Sequence, residues 1–488
     1  MSTPRIDVDG VSVSPDHYIN AERIASSQTF EDRSPLDWEW KLADVARGGP
    51  LEADLAISAA ERAFPSWSAL SADERGVYLD RVADLIDRDV ETIAHVECLD
   101  MAMLEESLRL RVIGRGARNF RAYADLARHY DARRWSSNGT HNTVLRMPAG
   151  VTVVITPWNA PFMLSTWKCA PALAAGNTVV LKPAEWSPLS CSLLMDLVDE
   201  AGFPPGVFNV VQGLGKEIGA ALVTDARVRR ISFTGSPETG RFIGEAAAKN
   251  LVPFTAELGG KGPFMVFADA DLDAAAQKAA VMYDDGGQVC LAGTRLLVDA
   301  SVRDEFVALF ETATKRHVLG DSRDTATTVS PLIHPEHLAR VDGFVSRARD
   351  NGDVVVFGGQ LDREGGLWYE PTLIEPKSND SEIVQREVFG PVLTLQSFNN
   401  EAEAVALANS TKYGLSAVIY TSDEVRAERL GVQLRAGTIW VNCFLVRDLT
   451  APFGGTGISG IGREGGDYAL DFYSDLKTLL IKEGTTDG

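Results

Sequence analysis

Val151-Thr152-Val153-Val154-Ile155 and Thr178-Val179-Val180-Leu181 are two short β-rich runs divided by the segment from Pro161 to Ala175. Apolar runs separated by amphipathic helical stretches read as parallel strands joined by crossovers. The pattern continues with Phe208-Asn209-Val210-Val211 and Ile231-Ser232-Phe233-Thr234, each followed by a glycine-containing turn and a helix-like stretch. A second α/β series starts after Gly260, with Gly262-Pro263-Phe264-Met265-Val266-Phe267 as its first strand, and ends near Ile439-Trp440-Val441-Asn442. Upstream, from Leu51 to about Leu108, Leu79, Val82, Leu85 and Ile86 recur at helix spacing. The expectation is an α/β fold with two doubly wound parallel-sheet, Rossmann-like domains. The tail from Phe472 to Lys482 alternates enough for an edge strand, and an exposed apolar edge finds a partner.

The chain has 488 residues, too many for one ordinary core, so two or three domains are expected. Its 68 acidic and 47 basic side chains give a net charge of −21, which argues against a general nucleic-acid or anionic-membrane surface. The amino terminus shows no basic cluster followed by an apolar run, and no stretch approaches the ~18 apolar residues of a membrane span. A cytoplasmic location is the default. Five cysteines, Cys98, Cys169, Cys191, Cys290 and Cys443, lack CxxC spacing, which suits reduced thiols; no metal site is expected.

Two glycine-rich runs carry the chemistry. Glu257-Leu258-Gly259-Gly260-Lys261-Gly262-Pro263 holds a carboxylate, and Gly287-Gln288-Val289-Cys290 a cysteine, 290 − 257 = 33 residues apart. A nucleophile and a base that releases the acyl group with water are what a covalent thioester mechanism needs. Cys290 alone among the cysteines is flanked by glycines on both sides; the others stand in apolar or helical surroundings, where buried thiols are inert. In Thr156-Pro157-Trp158-Asn159-Ala160-Pro161-Phe162 the Asn159 amide is either a turn residue or a donor to a developing oxyanion. Phe233-Thr234-Gly235-Ser236-Pro237-Glu238-Thr239-Gly240 follows a strand and opens a helix, so its amides face outward as a pyrophosphate site requires, though without the G-x-G-x-x-G fingerprint. Lys182 and Glu185 fall at the carboxyl end of a parallel strand, in the crevice where ligands bind or at a solvated strand end.

Together these runs resemble the aldehyde dehydrogenase superfamily. The resemblance extends from Tyr18-Ile19-Asn20 through Pro452-Phe453-Gly454-Gly455 to Gly462-Arg463-Glu464-Gly465. It implies Cys290 as nucleophile, Glu257 as base, and Asn159 with the Cys290 N–H as oxyanion hole. It implies NAD as cofactor, with Lys182 and Glu185 on the adenosine ribose, and Gly235 and Ser236 near the phosphates and nicotinamide. Glu387 and Phe389, in Glu387-Val388-Phe389-Gly390-Pro391, are implied at the nicotinamide ribose and ring. Ile155, Thr156, Trp158, Gly215 and Phe233 complete the implied cofactor set. A carboxylate at Glu185 repels a 2′-phosphate, so NAD is favoured over NADP. The domain division implied is 1–128 with 149–258 for NAD, 259–448 for catalysis, and 129–148 with 470–488 as a β bridging element between subunits of a homodimer or homotetramer.

The run Asn442-Cys443-Phe444-Leu445-Val446-Arg447-Asp448-Leu449 looks like the branch that oxidises hydroxymuconic, aminomuconic and carboxymethyl-hydroxymuconic semialdehydes, as does the helix bearing Arg115. Arg115 and Arg447 would then clamp a substrate carboxylate, with Phe162 and Trp167 also implied at the substrate. The alternatives are an Arg447-Asp448 surface pair, Arg111 or Arg118 facing inward in place of Arg115, a broad-range enzyme for neutral aldehydes, and a catalytically silent relative. Two departures from the family pattern stand out. Asp284-Asp285-Gly286 alters the substrate mouth, and Ser34-Pro35-Leu36-Asp37 is expected to touch only a surface connection.

Overall fold

The computed structural model describes residues 2–130, 132–361 and 366–484, so Met1, residue 131 and residues 485–488 of the expected bridging element lie outside the described residues. Val151–Ile155 forms the middle of an eight-stranded sheet, parallel to Thr178–Lys182 on one side and Val228–Thr234 on the other. Phe208–Val210 and Phe254–Glu257 extend it in the same direction. Antiparallel strands close its flanks: His17–Ile19 with Glu22–Ile24 at one end, and Gly460–Ile461 at the other. The register pairs Lys182 with Ile155, Ile155 with Phe233, and Thr234 with Glu257. These residues therefore share the carboxyl edge of the sheet, where ligands of open α/β sheets bind.

The run Leu258-Gly259-Gly260-Lys261-Gly262 is the whole crossing from Phe254–Glu257 to Pro263–Val266, the first strand of the second sheet. That seven-stranded sheet is parallel except for Val354–Phe357 at one edge. Phe264, Tyr283, Phe306 and Phe310 pack beneath it in a core of its own. On the first sheet, Ala72–Arg88 begins at a reciprocal cap in which Ser71 Oγ accepts from Glu74 N and Glu74 Oε2 accepts from Ser71 N. Leu79, Val82 and Ile86 line the buried stripe of that helix. It packs on Ile113–Arg128, which in turn packs on Pro161–Ala174.

The tail strand Ser474–Lys482 pairs antiparallel with Thr140–Pro148, from Ser474 opposite Pro148 to Lys482 opposite Thr140. It is the edge of a three-stranded sheet, with Leu476, Leu479, Leu480 and Ile481 exposed. No helix among the described residues is long and apolar enough to cross a membrane. One expectation is corrected: the connection at Ser34-Pro35-Leu36 is buried, and Ser34 Oγ donates to the Leu99 carbonyl at 2.7 Å. The hydroxyl stitches the hairpin Thr29–Arg33 and Lys41–Ala46 onto the helix Val90–Met101, so the segment is structural and not superficial.

Candidate active site

Cys290 follows a tight turn at Asp285, Gly286 and Gly287, whose φ values of 54°, 64° and 67° are all left-handed. At Gly287 a Cβ would collide with the Gly390 carbonyl, so only glycine lets the turn sit against the 390–391 backbone. The turn delivers Cys290 half-buried, whereas Cys98, Cys169 and Cys191 are fully buried. Cys443 is also half-buried, and sits in the loop after Thr438–Val441. Burial, followed by the nearby Glu387 and Glu257 carboxyls, pushes the Cys290 thiol up to about 12; Arg447 is the cation that works against them.

Asn159 reaches the same place from the first sheet. It lies between the strand Val151–Ile155 and the helix Pro161–Ala174, and its Nδ2 donates to the Gln288 carbonyl at 3.0 Å. Glu257 ends the strand Phe254–Glu257 with 5 % exposure, and neither carboxylate oxygen has a hydrogen-bond partner. Burial holds its pKa well above the usual carboxylate range, and Glu464 adds to the shift, while Lys168, Arg463 and Arg447 oppose it.

Lys168 and Glu464 escaped the sequence reading. They form a buried ion pair, and Lys168 Nζ also donates to Ser232 Oγ at 3.1 Å and to the Phe233 carbonyl at 3.3 Å. The available signal was a lone lysine on a helix with twelve buried residues, Pro161–Ala174. A buried lysine needs a partner.

On the cofactor side, Lys182 Nζ donates to Glu185 Oε2 at 2.7 Å and Gly215 N to Glu185 Oε1 at 3.4 Å. Burial alone would raise the Glu185 pKa, but the Lys182 ammonium and these donors carry it below the ordinary value, so the group is a carboxylate near neutrality. Ser236 caps Pro237–Lys249 by accepting from Thr239 N at 3.2 Å, while Phe233 folds against Gly235. Ile155 and Thr156 are buried, and Thr156 Oγ1 meets Ser165 Oγ at 3.0 Å. From the second sheet, Glu387 Oε1 accepts from Gly260 N at 2.8 Å, an approach that any Cβ on Gly259 would block. Burial raises Glu387 to about 7. Phe389, at φ 60°, meets Trp158 edge-on with ring centroids 5.3 Å apart. His337, another residue missed in the sequence, donates from Nε2 to the Phe389 carbonyl at 2.7 Å; burial lowers its pKa to about 4, which keeps it neutral.

Arg115 and Arg447 both lie over the Trp167 ring, at 5.8 and 5.6 Å from its centroid, and Arg447 also covers Phe453 at 3.7 Å. Neither guanidinium has a carboxylate partner among the described residues, and Arg115 Nε is buried without any. Burial first, and then Arg447, lowers the Arg115 pKa to about 10. Asp448 accepts from Thr450 N and Oγ1, both at 2.8 Å, and not from Arg447. Arg111 and Arg118 are exposed. Phe162 stands apart: it is 0 % exposed and packs on Gly116, so it presents no surface to a ligand. Asp284 is half-buried and raised to about 7 by burial and Asp285, with Arg111 the first of the cations opposing it.

Comparison with known proteins gives the family. The profile of the Aldehyde dehydrogenase family matches residues 23–479. The 2-hydroxymuconic semialdehyde dehydrogenase of Pseudomonas sp. (strain CF600) is 41% identical over 96% of this chain and 99% of its own length. The betaine aldehyde dehydrogenase of Bacillus subtilis is 42% identical over 94% and 96%. The AldA indole-3-acetaldehyde dehydrogenase of P. syringae, solved in complex with NAD+ and IAA, superposes with a TM-score of 0.95 at 36% identity, covering 97% of this chain and 98% of that one.

Proposed function

Since the chain belongs to the aldehyde dehydrogenase family and is an oxidoreductase acting on aldehydes, we propose that it oxidises a carboxylate-bearing semialdehyde of the 2-hydroxymuconic or 5-carboxymethyl-2-hydroxymuconic type with NAD. The observation that carries this reading is the pair of guanidiniums, Arg115 and Arg447, both over the ring of the buried Trp167 and both without an acid partner among the described residues. Two half-buried cations with no ion-pair partner among the described residues are costly unless an anion completes them. Overall identity does not choose the substrate, because relatives named for semialdehyde and for betaine aldehyde are equally similar.

Residues fitting NAD are present on this chain. Lys182 and the ionised Glu185 stand at the carboxyl edge of the sheet for the ribose hydroxyls, Ser236 opens a helix whose amides suit a pyrophosphate, and Glu387 with Phe389 bounds the nicotinamide end. When bound, NAD accepts the hydride. The chain's own residues do the rest. Cys290 Sγ, its proton given up to solvent water, adds as the thiolate to the aldehyde carbon, and the Asn159 amide and Cys290 N–H hold the oxyanion left by the opened C=O bond. Departure of the hydride leaves a thioester on Cys290. Glu257 then takes a proton from water, whose oxygen displaces the sulfur and yields the acid. Arg447, the cation that favours the charged forms of both Cys290 and Glu257, brings the substrate's distal carboxylate and the reacting groups into one field.

The supporting domain division is 1–128 with 149–258 for NAD, 259–448 for catalysis, and 129–148 with 470–488 for subunit bridging. The strands of the two large sheets fall in the first and second of these, except Gly460–Ile461, which joins the first sheet from outside them. The exposed apolar strand Ser474–Lys482 supports a homodimer or homotetramer, and five free cysteines support a cytoplasmic setting. NADH formation across aldehydes with and without a distal carboxylate tests the substrate: equal kcat/KM for both classes would favour the broad-range reading.

A further inference from the structure

Gln288 is 2 % exposed, and its side chain is hydrogen-bonded at both ends. Nε2 donates to the Asp285 carbonyl at 3.1 Å and to the Pro331 carbonyl at 3.3 Å, while Oε1 accepts from Ile333 N at 3.0 Å. These bonds clamp the left-handed turn before Cys290 to the 331–333 segment of the same half of the molecule. The backbone of Gln288 faces the other way, its carbonyl accepting from Asn159 Nδ2 at 3.0 Å. One residue thus anchors the nucleophile loop by its side chain and the asparagine of the opposite sheet by its main chain. A primary amide carries two N–H groups. With one committed to the Gln288 carbonyl, the amide plane is fixed and the second N–H has a set direction. The Cys290 N–H lies two residues further along the same backbone.

We propose that Gln288 is a positioning residue that sets the mutual geometry of the two oxyanion donors, Asn159 Nδ2 and the Cys290 N–H, without itself touching the substrate. This rests on the assignment of those two groups as the oxyanion hole. Donors of this kind act only when held at hydrogen-bond distance from the developing charge, so a loosened loop weakens both together.

A double-mutant cycle tests it, with the single-turnover rate of NADH formation as the readout and NAD affinity and thermal midpoint as controls. Gln288→Met keeps the stem and removes the three side-chain bonds. The expected loss is about 10-fold to 100-fold, below the about 10²–10³ of losing a donor outright. In an Asn159→Ala background the same change should cost several-fold less than in the wild type, because only the Cys290 N–H is left to position. Should Gln288→Met fail to fold, Gln288→Glu runs the same cycle: it keeps the acceptor for Ile333 N and loses both donations. Losses that multiply in full, or a Gln288 variant with wild-type rate, would overturn the positioning role while leaving the oxyanion hole intact. An Asn159→Ala enzyme with an undiminished rate would overturn the oxyanion assignment itself, and the proposal with it.

Discussion

Trp167 donates its indole N–H to the Glu464 carboxylate at 2.6 Å. The ring that supports Arg115 and Arg447 is therefore tied to the ion pair of Glu464 with Lys168, and Glu464 is the acid that adds most to the upward shift of Glu257. Removing that charge has a defined sign. In Glu464→Gln the repulsion is lost and Lys168 is unopposed, so the Glu257 pKa falls. The acid limb of the kcat–pH profile for deacylation should then move to lower pH, since a base with a lower pKa stays ionised further down. Leaving Lys168 buried without its partner costs about 3–5 kcal/mol, so the thermal midpoint should drop as well. An acid limb that moved up, or stayed in place, would mean that Glu464 does not govern the base.

On the proposed mechanism Glu257→Gln should separate acylation from deacylation. The amide is nearly the same shape, and both carboxylate oxygens lack hydrogen-bond partners in the wild type, so little structure is lost. Rapid mixing should give a burst of NADH near one per site followed by a slow phase, because the thioester forms and then waits for water. A uniformly slow reaction without a burst would place the action of Glu257 before hydride departure.

Much of this fold is visible in the chain because buried parallel strands such as Val151–Ile155 and Thr178–Lys182 are β-branched apolar runs separated by helical stretches. The short strands Ile6–Val8 and Val11–Val13 are not, since three residues carry no period. The candidate site divides in the same way. Cys290 stands out because glycines surround it, and its turn uses them at positive φ. Lys168 and Glu464 are paired across 296 residues, and no local pattern reports a contact of that range. Phe162 lies three residues after Asn159, close in sequence to the site, yet on the helix face that packs on Gly116. The resemblance implied it at the substrate, whereas helix geometry turns it to another face.

On the proposed reading cofactor choice turns on Glu185, an ionised carboxylate held by Lys182 and Gly215 N. A 2′-phosphate there meets a negative charge, a repulsive element that excludes the wrong ligand. The wild type should prefer NAD, and Glu185→Ser should narrow the kcat/KM ratio of NAD over NADP while freeing Lys182 to pair with the phosphate. A wild-type enzyme with equal or higher kcat/KM for NADP would remove Glu185 from the ribose.

Arg447 offers the sharpest test of the substrate, because it serves two partners at once. Its guanidinium sits over Trp167 and Phe453, and its charge favours the ionised forms of Cys290 and Glu257. Losing one partner of a desolvated charge pair costs roughly 2–5 kcal/mol, at the lower end where water reaches the group. Arg447→Ala should therefore cut kcat/KM for a muconic-type semialdehyde far more than for benzaldehyde or hexanal, and Arg115→Ala should do the same. The neutral aldehyde still reports the second effect: without Arg447 the Cys290 thiol is harder to ionise, so the pH dependence of its alkylation by iodoacetamide should move to higher pH only in Arg447→Ala. Arg447 is the cation that acts on that thiol, so Arg115→Ala should keep a profile close to the wild type. Equal losses for charged and neutral aldehydes in both variants would refute the carboxylate clamp.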